Sequence, residues 1–212
     1  ELKQKLVRKG HVFRSRSDSE VLIHAFKEWG TDSFSMLEGM YAFVLWDPHN
    51  KQGFIVRDHI GIKPLFYTRD GDCLCVSSAL AGIKPFLKEV NIDILGLSYL
   101  LSISYIPEPF SIVSSVNKLS PGSYIKWTPK SFKISRYWDA PSSEIGEPQV
   151  DIDTQFGEIF DAVIESEMIS DVPRGAFLSS GLDSSAIAVS GSRYDLSFLS
   201  LSFPGSIYDE SS

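Results

Sequence analysis

Seven consecutive residues, Ser179-Ser180-Gly181-Leu182-Asp183-Ser184-Ser185, combine four hydroxyls, a glycine and a carboxylate. The apolar run Ala176 to Leu178 before them reads as a buried strand, and Ala186-Ile187-Ala188-Val189 after them opens a helix. A small-residue loop between strand and helix points backbone N–H groups at one spot and lets a phosphate approach the chain, with the helix dipole favouring negative charge. The chemistry this spacing offers is phosphate or pyrophosphate binding. The same residue types also build ordinary turns, and Asp183, Ser184 or Ser185 can cap the helix. It is not a Walker loop, since no Gly-Lys-Ser/Thr follows.

A second candidate is Ser17-Asp18-Ser19-Glu20. Its spacing predicts a capping box, with Ser17 reaching the third helical residue and Glu20 reaching back. Asp18 is a further cap candidate, and its carboxylate can also accept from an ammonium group.

The elements that must position these residues follow from periodicity. Val21, Leu22, Ala25, Phe26 and Trp29 fall at helical spacing up to Gly30, and a short helix is expected over Ser33 to Leu37. Met40 to Trp46 reads as a strand buried on both faces. Gly53 to Asp58, Leu65 to Tyr67 and Leu74 to Ser77 continue it as a meander. Helices are expected over Ala79 to Leu87 and Ile94 to Ser102, and strands over Ser123 to Trp127 and Ile134 to Trp138. Residues 139 to 150 mix Pro, Ser, Gly and Glu with few apolar side chains, which marks a linker. Beyond it, Phe156, Ile159, Phe160, Val163, Ile164 and Met168 predict a helix. The strand at 176–178, the helix from Ser184 and a strand at 197–203 then imply a parallel α/β unit, with its ligand at the carboxyl ends of the strands.

Composition narrows the classes. The 212 residues are 43% hydrophobic and 22% charged, enough for one or two globular domains. A net charge of −7 without a basic run argues against nucleic acid as partner. No apolar segment is long enough to span a membrane. Cys73 and Cys75 are expected to stay unpaired, and the scattered histidines show no metal-ligand spacing. A reducing, cytoplasmic setting fits.

Four segments in order carry a family resemblance: Phe13-Arg14-Ser15-Arg16-Ser17-Asp18-Ser19-Glu20-Val21, Gly39 to Asp47, Arg57-Asp58-His59-Ile60-Gly61-Ile62-Lys63-Pro64-Leu65-Phe66-Tyr67, and Ser170 to Ser185. The Lys118 to Gly122 turn and Arg136-Tyr137-Trp138 agree with them. Together they resemble the glutamine-hydrolysing asparagine synthetases. The resemblance implies an α+β domain followed by an α/β domain. The first is a partial N-terminal-nucleophile glutaminase αββα sandwich at residues 1–139. After a linker at 140–150 comes the start of an ATP pyrophosphatase-type parallel sheet at 151–212. It implies an ATP-dependent ligase making asparagine from aspartate and glutamine through an aspartyl-adenylate, with magnesium, and dimers occur in the family.

Carried over residue by residue, the resemblance assigns Asp18 to the amino group of bound glutamine. It assigns Ser179, Ser180, Gly181, Leu182, Asp183, Ser184 and Ser185 to the pyrophosphate, with Asp183 the candidate magnesium carboxylate. Leu178 and Leu201 match places where the family's backbone meets adenosine. Arg57, Asp58, Gly61, Lys63 and Pro64 are expected to be structural. Position 180 is Ser where the family has Gly, a strain if that backbone requires a positive φ. Ser77-Ser78-Ala79 stands where the family has Ala-Ser-Glu. The amino-terminal Cys nucleophile and the Asn-Gly-Glu segment are not in these residues, so no catalytic residue is assigned and the chain is expected to be an inactive piece of a longer enzyme. Two other readings stay open: a relative such as a β-lactam synthetase acting on another carboxylate, and a non-catalytic binding module.

Overall fold

The computed structural model describes residues 1–141 and 151–205. The chain divides into two compact units, Glu1–Pro141 and Ser142–Ser212. Most of the expected linker, 142–150, lies outside the described residues.

The first unit is built in four layers. One sheet has the order β1-β2-β6-β7, from Ala42–Asp47, Gln52–Arg57, Ser123–Thr128 and Ser131–Arg136, all antiparallel. The other has the order β4-β3-β5, from Cys73–Ser77, Phe66–Asp70 and Asn117–Lys118. Alternation along each strand gives every sheet two distinct faces. Ile55 and Ile125 on the first sheet meet Leu65, Tyr67 and Leu119 of the second, which forms the inter-sheet core. The opposite face of the first sheet, Phe54 and Val56, packs on Phe34 and Phe26. Phe26 lies on α2 (Asp18–Trp29), and Phe34 on the 3₁₀ turn Gly30–Met36 that follows it. The outer face of the second sheet, with Phe66 and Cys75, is covered by Leu80 and Ile83 of α3 (Leu80–Ile83), together with Val113 and Val116. The layer order is therefore α-β-β-α. Ile125, Val56 and Phe34 are at most 1% exposed, and each contributes about 1.5–3 kcal/mol by leaving water.

Several expectations change. The strands do not form one meander: β2 pairs with β6 rather than β3, because the chain leaves the first sheet after Arg57 and enters the second at Phe66. β1 is an edge strand and not buried on both faces, since Val44 and Trp46 are 58% and 50% exposed. The helix expected over Ala79 to Leu87 is one turn, α3, and then a 3₁₀ turn, Lys84–Phe86, because Pro85 supplies no N–H. α1 (Leu2–Arg8) was not expected, and α4 spans Ile94–Ile103. Cys73 and Cys75 are both free thiols.

The second unit holds α5 (Ile152–Glu167), β8 (Arg174–Phe177), α6 (Leu182–Gly191) and β9 (Leu196–Leu199). β8 and β9 pair in parallel with α6 between them, the connection that parallel strands require. Asp161 of α5 accepts from Ser190 and pairs with Arg193, which ties α5 to the end of α6. The expected buried strand is open to solvent: Phe177 is 78% exposed.

Candidate functional site

Asp18 is the first residue of α2. Ser17, the N-cap, accepts from the Ser19 N–H at 3.2 Å. Glu20 does not reach back to the Ser17 N–H as a capping box would. Its carboxylate accepts from the Arg14 N–H at 2.8 Å, the Ser15 N–H at 2.7 Å and the Ser15 hydroxyl at 2.6 Å. The Ser17 N–H donates to Ser15 Oγ instead. These bonds to Ser15 and Arg14 hold the Glu20 carboxyl down to about 2. The cap is thus Ser17 and not Asp18, whose exposed carboxylate has no partner among the described residues. Behind this turn, His11 and His24 face each other Nδ1 to Nδ1 at 2.9 Å, and His11 Nε2 meets Glu28 at 2.9 Å. Sequence reasoning missed this histidine pair, because the two residues lie on different elements.

The Arg57-to-Pro64 segment is a buried clamp. Arg57 and Asp58 are 5% and 1% exposed. The Arg57 guanidinium donates to the carbonyls of Gly61, Lys63 and Leu119 and pairs with Glu108 at 3.1 Å. Asp58 accepts the N–H groups of Ile62 at 2.8 Å and Lys63 at 2.9 Å. Gly61 sits at φ +73°, where a Cβ would lie 2.8 Å from Pro121 Cγ. The Tyr137 hydroxyl donates to the Arg57 carbonyl at 2.6 Å and meets Tyr41 Oη at 2.9 Å. Burial, then the contact with Tyr41, pushes the Tyr137 phenol far up. His59 packs against Tyr41, Tyr137 and Trp138, and burial pushes its imidazole down, with Asp58 partly opposing. All polar atoms of Arg57 and Asp58 named here are turned onto the protein's own backbone or Glu108. That is a structural task.

In the second unit the candidate loop is folded around one hydroxyl. Ser184 Oγ lies 3.2 Å from the Ser179 N–H, which donates to it, and within 3.0–3.1 Å of the Gly181 and Ser179 carbonyls. It also meets Ser179 Oγ at 2.9 Å, while the Ser185 hydroxyl donates to the Gly181 carbonyl. Gly181 is the N-cap of α6 and supplies no side-chain cap. The N–H groups of Leu182, Asp183 and Ser184 therefore have no partner among the described residues, as the first turn of any helix does unless capped. Ser180 is not among the residues at positive φ, so the backbone there does not require glycine.

A cleft of about 430 Å³ opens beside this loop, lined by Phe177, Leu178, Ser179, Ser184, Leu199, Leu201 and Phe203. It brings four of the expected residues together: Leu178, Ser179, Ser184 and Leu201. Ser180, Gly181, Leu182, Asp183 and Ser185 lie along the loop and helix start, not on the cleft wall. The Leu178 N–H donates to the Leu199 carbonyl, and the Ser200 hydroxyl donates to the Leu178 carbonyl. Leu201 forms no backbone hydrogen bond among the described residues.

The first unit is an αββα sandwich with a pinned acidic turn, and the second is a parallel α/β unit whose helix start carries no side-chain cap. Residues 1–138 match the family described as glutamine amidotransferase domain, and the chain belongs to that family. Residues 155–212 match the family described as asparagine synthase. Asparagine synthetase [glutamine-hydrolyzing] 3 of Bacillus subtilis is 33% identical over 88% of this chain and 31% of its own length. Asparagine synthetase [glutamine-hydrolyzing] 1 of the same organism is 34% identical over 88% of this chain and 30% of its own. The chain spans about a third of the length of these relatives. Among solved structures, the glutamine phosphoribosylpyrophosphate amidotransferase of B. subtilis is 18% identical with a TM-score of 0.46, over 93% of this chain and 42% of that one.

Proposed function

We propose that this chain serves glutamine-dependent asparagine synthesis, as the later glutaminase part and the start of the synthetase part of a longer enzyme. In this reading glutamine is hydrolysed at the first site, and ATP activates the aspartate side-chain carboxylate as an adenylate. Ammonia then displaces AMP to give asparagine. The observation that carries the reading is the succession, in one chain, of an amidotransferase sandwich with a free acidic group on a pinned turn and a Ser-rich strand–helix loop beside an apolar cleft.

Each residue has a physical task. Asp18, unpartnered and exposed, accepts from the glutamine ammonium, a charge-assisted bond. The N–H groups of Leu182, Asp183 and Ser184 face the pyrophosphate, whose negative charge grows as the α–β bond breaks. Ser179 and Ser185 shape the loop, Ser180 adds a hydroxyl at its rim, and Gly181 leaves room at its turn. The apolar walls at Leu178 and Leu201 suit an adenine ring, with the open Leu201 backbone available to it. The Leu178 N–H and carbonyl are already engaged by the Leu199 carbonyl and the Ser200 hydroxyl, so Leu178 offers adenosine its apolar side chain.

Magnesium fits this site in one way only. Among the described residues no three His, Cys, Asp or Glu side chains converge on a point. Asp183 is a lone carboxylate, so magnesium would arrive bound to the phosphates. That matches its habit of taking one or two carboxylates plus substrate oxygens. When bound, it neutralises phosphate charge.

The test uses the full-length protein with ¹⁵N-amide glutamine, ATP and a panel of carboxylic acids. Aspartate-dependent pyrophosphate release with ¹⁵N-asparagine formed is expected. Pyrophosphate release driven by another acid and not by aspartate overturns the acceptor. No acid-dependent release from a folded enzyme overturns the reading as a whole and leaves a binding module.

A further inference from the structure

The turn that carries Asp18 is folded around the Glu20 carboxylate. That group collects the N–H groups of Arg14 and Ser15 and the Ser15 hydroxyl, all within 2.8 Å. Ser15 Oγ then accepts from the Ser17 N–H, and Ser17 Oγ accepts from the Ser19 N–H. One anion thus fixes residues 14, 15, 17 and 19 in sequence, and Asp18 lies inside that chain of bonds. An ordinary capping box would have turned Glu20 onto Ser17 and left residues 14–16 unsupported. On its other side Glu20 faces His24 Nε2 at 3.7 Å.

We propose that Glu20 is a positioning residue for substrate recognition: it acts through the turn at 14–17 to aim the Asp18 carboxylate at the substrate's ammonium group. The inference rests on the reading that Asp18 binds glutamine. Glu20 itself touches no substrate. Its carboxyl is held near 2 by the Ser15 and Arg14 bonds, so the arrangement persists wherever glutamine carries an ammonium. A neutral amide at position 20 keeps one acceptor and turns an NH₂ toward an N–H or hydroxyl, which breaks the turn at one contact.

The experiment is glutaminase kinetics of the full-length protein with Glu20→Gln, Asp18→Asn and both together. Glu20→Gln is expected to raise the glutamine KM by roughly tenfold, the scale of one charge-assisted bond, with kcat within about twofold. Asp18→Asn is expected to weaken glutamine at least as much. The double variant is expected to be no worse than Asp18→Asn, because Glu20 has nothing left to aim. Ser15→Ala, which removes one of the three contacts to Glu20 and also the acceptor of the Ser17 N–H, is expected to raise KM in the same direction, an effect that also vanishes in the Asp18→Asn background, and it serves if Glu20→Gln fails to fold. If Asp18→Asn leaves glutamine affinity unchanged, the underlying reading fails. If Asp18→Asn weakens glutamine but Glu20→Gln and Ser15→Ala do not, only the positioning role fails. Multiplicative effects in the double variant also sink it, since they mean independent action.

Discussion

Replacing Asp58 by Asn tests whether the Arg57-to-Pro64 segment is a clamp. Asp58 is 1% exposed and its two oxygens accept from Ile62 N at 2.8 Å and Lys63 N at 2.9 Å. Asn keeps one oxygen, and the bond there becomes neutral, losing about half its strength, or roughly 1 kcal/mol. Its NH₂ faces the other N–H, so a buried donor goes unpaired at about 1–3 kcal/mol. The sum is about 2–4 kcal/mol. For a unit of roughly 140 residues that lowers Tm by about 6–15 °C. Urea unfolding followed by tryptophan fluorescence isolates the effect, because Trp29, Trp46, Trp127 and Trp138 are the only tryptophans and all lie in the first unit. Asp18→Asn is the control: an exposed carboxylate without a partner at a helix start contributes under about 1 kcal/mol. A loss below about 1 kcal/mol for Asp58→Asn at unchanged m-value refutes the clamp. Unchanged stability with glutaminase abolished would move the segment into the chemistry.

Three further outcomes are expected. Ser184→Ala removes the hydroxyl at the centre of the loop and is expected to weaken ATP binding by about tenfold in calorimetry, while Ser180→Gly changes it by less than about threefold because that backbone is unstrained; the reverse ranking overturns the loop's geometry as argued. Tyr137→Phe removes the bond to the Arg57 carbonyl and is expected to cost about 1–2 kcal/mol in the same urea assay. Because its folded pKa is raised, wild-type stability is complete below the unfolded phenol value near 10 and falls as pH rises past it, and the variant should lose part of that alkaline slope. Glu20 behaves oppositely: its folded value of about 2 lies below the ordinary 4.5, so its contribution is present above 4.5 and is lost as pH falls toward 2. Glu20→Gln should therefore show a shallower acid decline than wild type, and an identical decline would contradict the bonds to Arg14 and Ser15.

What the residues alone could reveal divides by distance along the chain. α2, β6 and α6 were legible from period and turn chemistry, since their signals are local. The meander was misread because strand pairing is not local: nothing in Gly53 to Tyr67 says that β2 prefers β6. The Glu20 contacts were half legible. The Ser17-to-Glu20 spacing announces a cap, yet the carboxylate reaches residues five and six positions back, beyond the motif. Arg57 was expected to be structural, but only the fold brings its partners Leu119 and Glu108 to it.

The loop at 179–185 uses its hydroxyls differently from what their number suggests. Four serines beside a helix start suggest side chains reaching for phosphate. The structure turns Ser184 and Ser185 inward, onto the Ser179 and Gly181 backbone. Ser179 Oγ accepts from the Gly181 N–H. The side chains therefore fix the turn, and the backbone donors of Leu182, Asp183 and Ser184 are left without a partner among the described residues. Such donors cost no reorganisation when charge develops in front of them. It also follows that the identity of residue 180, Ser or Gly, matters less than whether position 184 carries a hydroxyl.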